Sequence, residues 1–166
     1  MYQWGDYLPK NAPTKYCKMR VWCGAGWASQ ETMSAYASEK DSIRRRVLNN
    51  GMWGPWEWVN PPMQVGVEYR TTERYLRKPV YCKVVDFGTA PNNDTKNVSL
   101  SGMNIDEVCD AIFHYSVPRN GENGVMTCHP QFTGLLVSNG VIQIRTNADK
   151  TDTNFYVTIK YTKITD

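Results

Sequence analysis

The stretch SIRRRVLNNGMWGPWEWVNPP, Ser42–Pro62, decides the fold. SIRRRVL reads as a strand, entered from a turn at Glu39-Lys40-Asp41. Asn49-Asn50-Gly51 is a hairpin signal, because Asn and Gly accept positive φ cheaply. Trp53 to Val59 is then the returning strand. Three tryptophans in six residues sit on it out of phase: Trp53 is odd, Trp56 and Trp58 are even. A bulge at Gly54-Pro55 would reset the phase and bring all three to one face. Packing is the expected duty of Trp53, Trp56 and Trp58, since large aromatic side chains are mostly buried. Asn60-Pro61-Pro62 ends the hairpin, because two successive prolines remove two donors and stop a ladder.

Those prolines stand at a break in composition. All six tryptophans, Trp4, Trp22, Trp27, Trp53, Trp56 and Trp58, precede Pro61. Residues 1–62 hold eight Lys/Arg against five Asp/Glu, whereas residues 63–166 hold eleven of each. The expectation is two domains, 1–62 and 63–166, with Pro61 and Pro62 at the seam.

The pattern is β on both sides of it. In YCKMRVWC, Cys17, Met19, Val21 and Cys23 alternate with Tyr16, Lys18, Arg20 and Trp22, giving one apolar face. SQETMSAYASEKDS has helical propensity, but turn signals bracket it and its helical apolar spacing is poor, so it is read as strand. Beyond Pro62, GVEYRTTERYLRKPVYCKVVDFG is a hairpin turning near Leu76-Arg77-Lys78-Pro79. APNNDTKN is a polar loop. Ile105–Val108 reads as a short helical turn, and CDAIFHYSV alternates like a strand. PRNGENG is a long turn-rich loop, and GLLVSNGVIQIRTN a hairpin around Ser138-Asn139-Gly140. In NFYVTIKYTKI, Phe155, Val157, Ile159 and Tyr161 face one way and Tyr156, Thr158, Lys160 and Thr162 the other. Short strands spaced by turns imply an all-β antiparallel sandwich or barrel.

Several function classes lack support. A net charge of +3 with one basic run, Arg44-Arg45-Arg46, does not argue for nucleic acid, and that run is expected on a solvated strand face. No stretch approaches the ~18 apolar residues of a membrane helix, and MYQWGDYLPK lacks the pattern of a signal peptide. The five cysteines, Cys17, Cys23, Cys82, Cys109 and Cys128, are odd in number and form no CxxC pair. Cys17 and Cys23 share a face but lie about 20 Å apart along a strand, too far to bridge. Buried free thiols in a chain folded in a reducing cytoplasm are expected. His114, alternating within an apolar run, is expected to be a structural histidine satisfied by a partner. No nucleophile-and-base pattern, phosphate loop or zinc motif is present. Asp106, Glu107 and Asp110 cluster without the spacing of a calcium loop. No enzyme activity, cofactor or metal is therefore expected.

SIRRRVLNNGMWGPWEW resembles the end of the pyocin-knob module of phage tail fibres, on Ile43, Arg44 or Arg46, Asn50, Gly51, Trp53 and Trp56. The continuation is similar to the segment leading into the C-terminal domain of many phage and prophage tail fibres. It matches in Asn60 to Met63, Gly66 to Arg74, Lys78 to Tyr81, Val85 to Gly88 and Pro91-Asn92. The closing YVTIKYTKITD is similar to that family's end. The resemblance covers residues 40–96 and 140–166. The family often has glycine where Arg77 stands and His-Gly where Ser101-Gly102 stands, and Asp106 to His129 is this chain's own.

The resemblance implies a small knob-like β domain followed by an antiparallel β-sandwich tip domain, assembled as a homotrimer at the distal end of a virion's tail fibre. It implies binding to a bacterial surface, usually to a glycan, and contact with other virion tail proteins. Neither nucleic acid nor membrane insertion is expected. Recognition is expected in the turn-rich loops of the second domain. One candidate loop carries Arg119, Asn120, Glu122, Asn123, His129 and Gln131. The other carries Asn147, Asp149, Lys150 and Asp152. A structural trimerisation cap and a glycan depolymerase are the alternatives, the latter needing only two carboxylates at the right separation.

Overall fold

Asn50 and Gly51 both adopt left-handed backbone, φ 49° and 78°. This is the two-residue type I′ turn whose twist matches the strands it joins. Around it the computed structural model describes residues 12–14, 17–35, 42–126, 132–138 and 140–165. Every regular element among them is a strand. The chain divides into two compact units, Met1–Pro62 with Tyr69–Glu73, and Met63–Glu68 with Arg74–Asp166.

The first unit contains β1 (Cys17–Gly24), β2 (Trp27–Ser34), β3 (Ile43–Asn49), β4 (Met52–Trp53) and β5 (Glu57–Trp58). β1, β2 and β3 form an antiparallel meander, and β4 and β5 both pair with β3. The middle of β6 (Glu68–Tyr75) joins alongside β5, with Thr71 opposite Trp58 in parallel. The expected bulge is present. Trp53 opposes Leu48 but Glu57 opposes Arg45, so the return path uses one residue more than β3 does. Gly54 N–H bonds to the Val47 carbonyl at 2.9 Å across the gap. Cross-strand partners share a face, so Trp53 and Trp58 project on the side of Arg44 and Arg46.

That face is a ladder of stacked cations. The Arg44 guanidinium lies 3.9 Å from the Trp58 ring centre. Arg46 sits between Trp53 and Trp56, at 4.6 and 4.5 Å, and donates to Gln30 Oε1 at 2.7 Å. Partial burial draws the Arg46 guanidinium below its usual pKa. Trp58 also meets Tyr69 edge-on at 5.2 Å, and Glu57 pairs with Arg70 at 3.0 Å. The expectation of a solvated arginine face is therefore corrected: Arg45 is exposed, while Arg44 and Arg46 are half-buried against indoles. Just before Pro61 and Pro62, both half-buried, the ladder closes. Val59 N–H donates to the Ile43 carbonyl at 2.8 Å, and Ile43 N–H donates to Asn60 Oδ1.

The second unit contains β7 (Lys78–Thr89), β8 (Thr95–Ser99), β9 (Ile105–Val117), β10 (Glu122–Met126), β11 (Phe132–Ser138), β12 (Val141–Thr146) and β13 (Asn154–Lys163). One antiparallel sheet runs β7-β13-β9-β10 and the other β11-β12-β8. Their facing side chains form a single apolar core. Phe155, Val157, Ile159 and Tyr161 of β13 and Ile142 and Ile144 of β12 have no solvent exposure. Phe132 meets Phe155 edge-on at 5.3 Å, joining the two sheets. The sandwich reading holds. Tyr161 donates its hydroxyl to Glu68, whose other carboxylate oxygen takes Lys163 Nζ at 2.6 Å. Burial, reinforced by Glu68, pushes the Tyr161 phenol far up, so it remains a donor at neutral pH.

Four expectations need correction. Ile105–Val108 is not a helical turn but the start of a thirteen-residue strand, because Ile105 and Val108 already pair with Lys163 and Tyr161 of β13, across two register shifts. PRNGENG is shorter than a long loop, since Glu122 opposes Val117 and Glu122 and Asn123 already belong to β10. The apolar face of β1 is not buried, as Val21 and Cys23 are exposed. Among the described thiols only Cys82 is buried; Cys17 and Cys109 are half-buried. Burial pushes the Cys17 thiol up, opposed by Arg44. The Glu39-Lys40-Asp41 turn and Cys128 lie outside the described residues.

The β6–β7 turn carries non-glycine residues in left-handed backbone, Leu76 at φ 48° and Arg77 at φ 69°. Glycine would meet no Cβ penalty at either position. Arg77→Gly should raise stability by about 0.5–1 kcal/mol, read as a higher urea midpoint at unchanged slope. In the first unit, Arg46→Ala should lower stability by about 1–2 kcal/mol and shift tryptophan emission to the red, as both rings lose their cation.

Candidate functional site

Strand register fixes which loops share an end of the sandwich. Asn154, the first residue of β13, opposes Thr89 of β7 on one side and Ser116 of β9 on the other. Arg145 of β12 opposes Thr95 of β8. The loops 90–94, 118–121 and 147–153 therefore emerge together at one end. Both candidate loops are brought to this end, although about thirty residues separate them in sequence.

Each loop is fixed by its own backbone. In the β9–β10 turn, Asn120 and Gly121 N–H groups both donate to the Val117 carbonyl, at 3.3 and 3.0 Å. The Asn120 side chain accepts from Glu122 N–H at 3.3 Å, and the Asn123 amide reaches the Gly121 carbonyl at 3.5 Å. Arg119, Asn120, Glu122 and Asn123 are all exposed. His129 and Gln131 lie outside the described residues. In the β12–β13 loop, Asp149 Oδ1 accepts from Thr151 N–H at 3.1 Å and from its hydroxyl at 2.8 Å. Asp149 also bridges to Asn92, and Asn93 N–H donates to the Ala148 carbonyl at 3.0 Å, so loops 90–94 and 147–153 brace each other. Asn147, Asp149 and Asp152 are exposed and Lys150 is half-buried. None of these loop residues is aromatic.

The aromatic group near this end lies on the sheet. Successive rows cross the outer face of β10, β9, β13 and β7. Asn123, Ser116 and Asn154 form one row; Val125, His114, Tyr156 and Asp86 form the next. Their neighbours Phe113, Tyr115, Phe155 and Val157 point into the core, which turns this set outward. Tyr156 is 41% exposed. His114 has a partner as expected, Thr158 Oγ1 at 3.3 Å from Nε2. Asp86 sits at a bulge between β7 and β13, where Gly88 adopts φ 73° and donates its N–H to Asp86 Oδ1 at 2.8 Å. Alternation in β13 marks Tyr156 as outward, whereas Asp86 shares the phase of Val80, Cys82 and Val84, which are buried, so alternation does not mark it.

At the opposite end lies a groove of 620 Å³ lined by Leu100–Gly102, Asn104–Asp106, Val108, Val137, Ser138 and Gly140. Its carboxylate, Asp106, pairs with Lys78 at 2.5 Å and takes the Thr162 hydroxyl at 3.3 Å. The Lys78 hydrogen bond holds Asp106 below the usual carboxylate range. Among the described residues no aromatic ring lines this groove. Among the described residues no three His, Cys, Asp or Glu side chains gather to hold a metal.

No family model and no curated protein matches the sequence. The structure is similar to the N-truncated tail fibre of an R2-type pyocin, at 9% identity and a TM-score of 0.31, over 90% of this chain and 84% of that one. A likeness at that level carries no argument about this chain.

Hydrogen bonding from Thr151, first from its N–H and then from its hydroxyl, holds the Asp149 carboxyl below the usual carboxylate range. The loop contact is thus made above the ordinary aspartate pKa and lost only as pH falls through the lowered one. Carboxyl-carbon NMR should give Asp149 a midpoint below that of a model aspartate. Thr151→Val should move it upward but only part of the way, because the backbone donor remains.

Proposed function

We propose that this chain is the tip region of a bacteriophage tail fibre or a related particle, attaching it to a bacterium by binding a surface carbohydrate without cleaving it. The observation that carries the reading is the gathering of three exposed polar loops, rich in Asn and Asp, at one end of a rigid β-sandwich. Loops held by a firm scaffold are the usual bearers of recognition. The sequence resemblance to tail-fibre C-terminal regions supports the same assignment, and with it a virion location and contact with other tail proteins.

The active form in this reading is a homotrimer folded in the host cytoplasm. Among the described residues the buried apolar cluster draws on the second unit. The first unit leaves Val21, Trp22, Trp27, Val47 and Met52 exposed, Met52 at 73%. Identical neighbours would cover such surface, and three tips side by side would raise a weak glycan affinity through multivalency. A structural cap is the second reading, favoured by the lack of any aromatic side chain in the two candidate loops.

Labelled protein incubated with a panel of bacterial strains and their isolated surface polysaccharides tests this. Saturable binding to some strains, competed by the same strain's polysaccharide, is expected. Absence of binding from a protein that sediments as a trimer would leave the cap.

A further inference from the structure

We propose that the saccharide contact is made on the outer face of the β7-β13-β9-β10 sheet, with the Tyr156 ring as the platform for one neutral pyranose. The proposal rests on the carbohydrate-binding reading and moves its site from the loop tips to the strands beside them. A tyrosine ring offers a flat apolar face to the C–H groups of a sugar, while its hydroxyl remains a hydrogen-bonding edge. Directly beside Tyr156 stand His114 on β9 and Asp86 on β7, and in the next row Asn123, Ser116 and Asn154. Carboxylate, imidazole, amide and hydroxyl are the acceptors and donors that sugar hydroxyls require.

The geometry is built rather than incidental. The ring stands on a strand whose alternate residues are wholly buried, so its position is set by the core. Thr158 holds the imidazole and Gly88 N–H holds the carboxylate at the bulge. Sites on strands keep their geometry better than sites on loops. Charge narrows the ligand class. A uronic or other acidic sugar laid on Tyr156 would be repelled by the Asp86 carboxylate, whereas a neutral hexose or N-acetylhexosamine would give it hydroxyl donors. The candidate loops then serve as a wall at the end of the platform, with Asn123 common to both.

An array of neutral hexose, N-acetylhexosamine and uronic-acid oligosaccharides is the probe, read with wild type, Tyr156→Ala, Tyr156→Phe, Asp86→Asn and the double loop variant Asn120→Ala/Asp149→Ala. Tyr156→Ala should weaken binding of neutral saccharides about tenfold or more, while Tyr156→Phe, which keeps the flat ring, and the loop variant, which trims only the wall, should lose clearly less. Asp86→Asn, which keeps the acceptor for Gly88, should admit acidic saccharides. Amide shifts of isotope-labelled wild type with the strongest neutral saccharide should centre on Asp86, His114 and Tyr156, a readout that does not depend on any variant folding. Shifts confined to loops 118–121 and 147–153, with full binding by Tyr156→Ala, would overturn the platform and leave the carbohydrate reading standing. No saccharide bound by wild type would overturn both. Loss of oligomer in sedimentation of Tyr156→Ala would make this face a subunit contact and overturn the platform alone.

Discussion

The phase of β13 is the constraint on which the second unit rests. Phe155, Val157, Ile159 and Tyr161 fill the middle of the core, and the strand is paired along both edges. A slip of one residue would put Tyr156, Thr158 and Lys160 into the core and four large apolar groups into water. Each such group is worth about 1.5–3 kcal/mol on burial, so the slipped register is not competitive. Everything outside the core inherits its direction from this choice. Tyr156 faces outward because Phe155 and Val157 face inward, and the loop ending at Asn154 is placed by the same pairing.

The first unit is organised by a different interaction. It has no comparable apolar core among its described residues, and its most regular contacts are guanidinium groups on indole faces. Arginine suits this role because its planar charge is weakly hydrated and stacks without losing all its hydrogen bonds. Arg46 shows both uses at once, ring on either side and Gln30 at its edge. The extra residue near Gly54-Pro55 is what permits the clasp. Without it Trp53 and Trp58 would lie on opposite faces, and the ladder of cations would have rings on one rung only.

Much of this could be read from residue order. Alternation gave the strands of NFYVTIKYTKI and the inward set on it, and Asn50-Gly51 gave its turn. The bulge was deducible from the conflict between odd Trp53 and even Trp58. What order alone does not reveal is which apolar face finds a partner. YCKMRVWC alternates as well as any core strand, yet Val21 and Cys23 are exposed, because burial depends on what lies opposite and not on period. Ile105–Val108 is too short for its period to separate a helical turn from a strand. For the candidate site, composition pointed to the Asn- and Gly-rich loops. The meeting of Asp86, His114 and Tyr156 comes from register between segments some thirty to seventy residues apart, which no local pattern encodes.

The position of β13 along the chain also bears on how the molecule is made. In the first unit β1, β2, β3 and β4 each pair with their neighbour in sequence, so those ladders close as soon as the residues are available. One edge of β7 must wait for β13, a partner whose pairing residues lie about seventy positions later. Loop closure over that distance is slow, and the edge of β7 stays open until it happens. During synthesis the hairpins of the first unit can therefore form on the ribosome, while the sandwich closes only after its last strand is released. A nascent chain stalled before Asn154 would present one open edge of β7 to other chains, since β13 is its partner on that side.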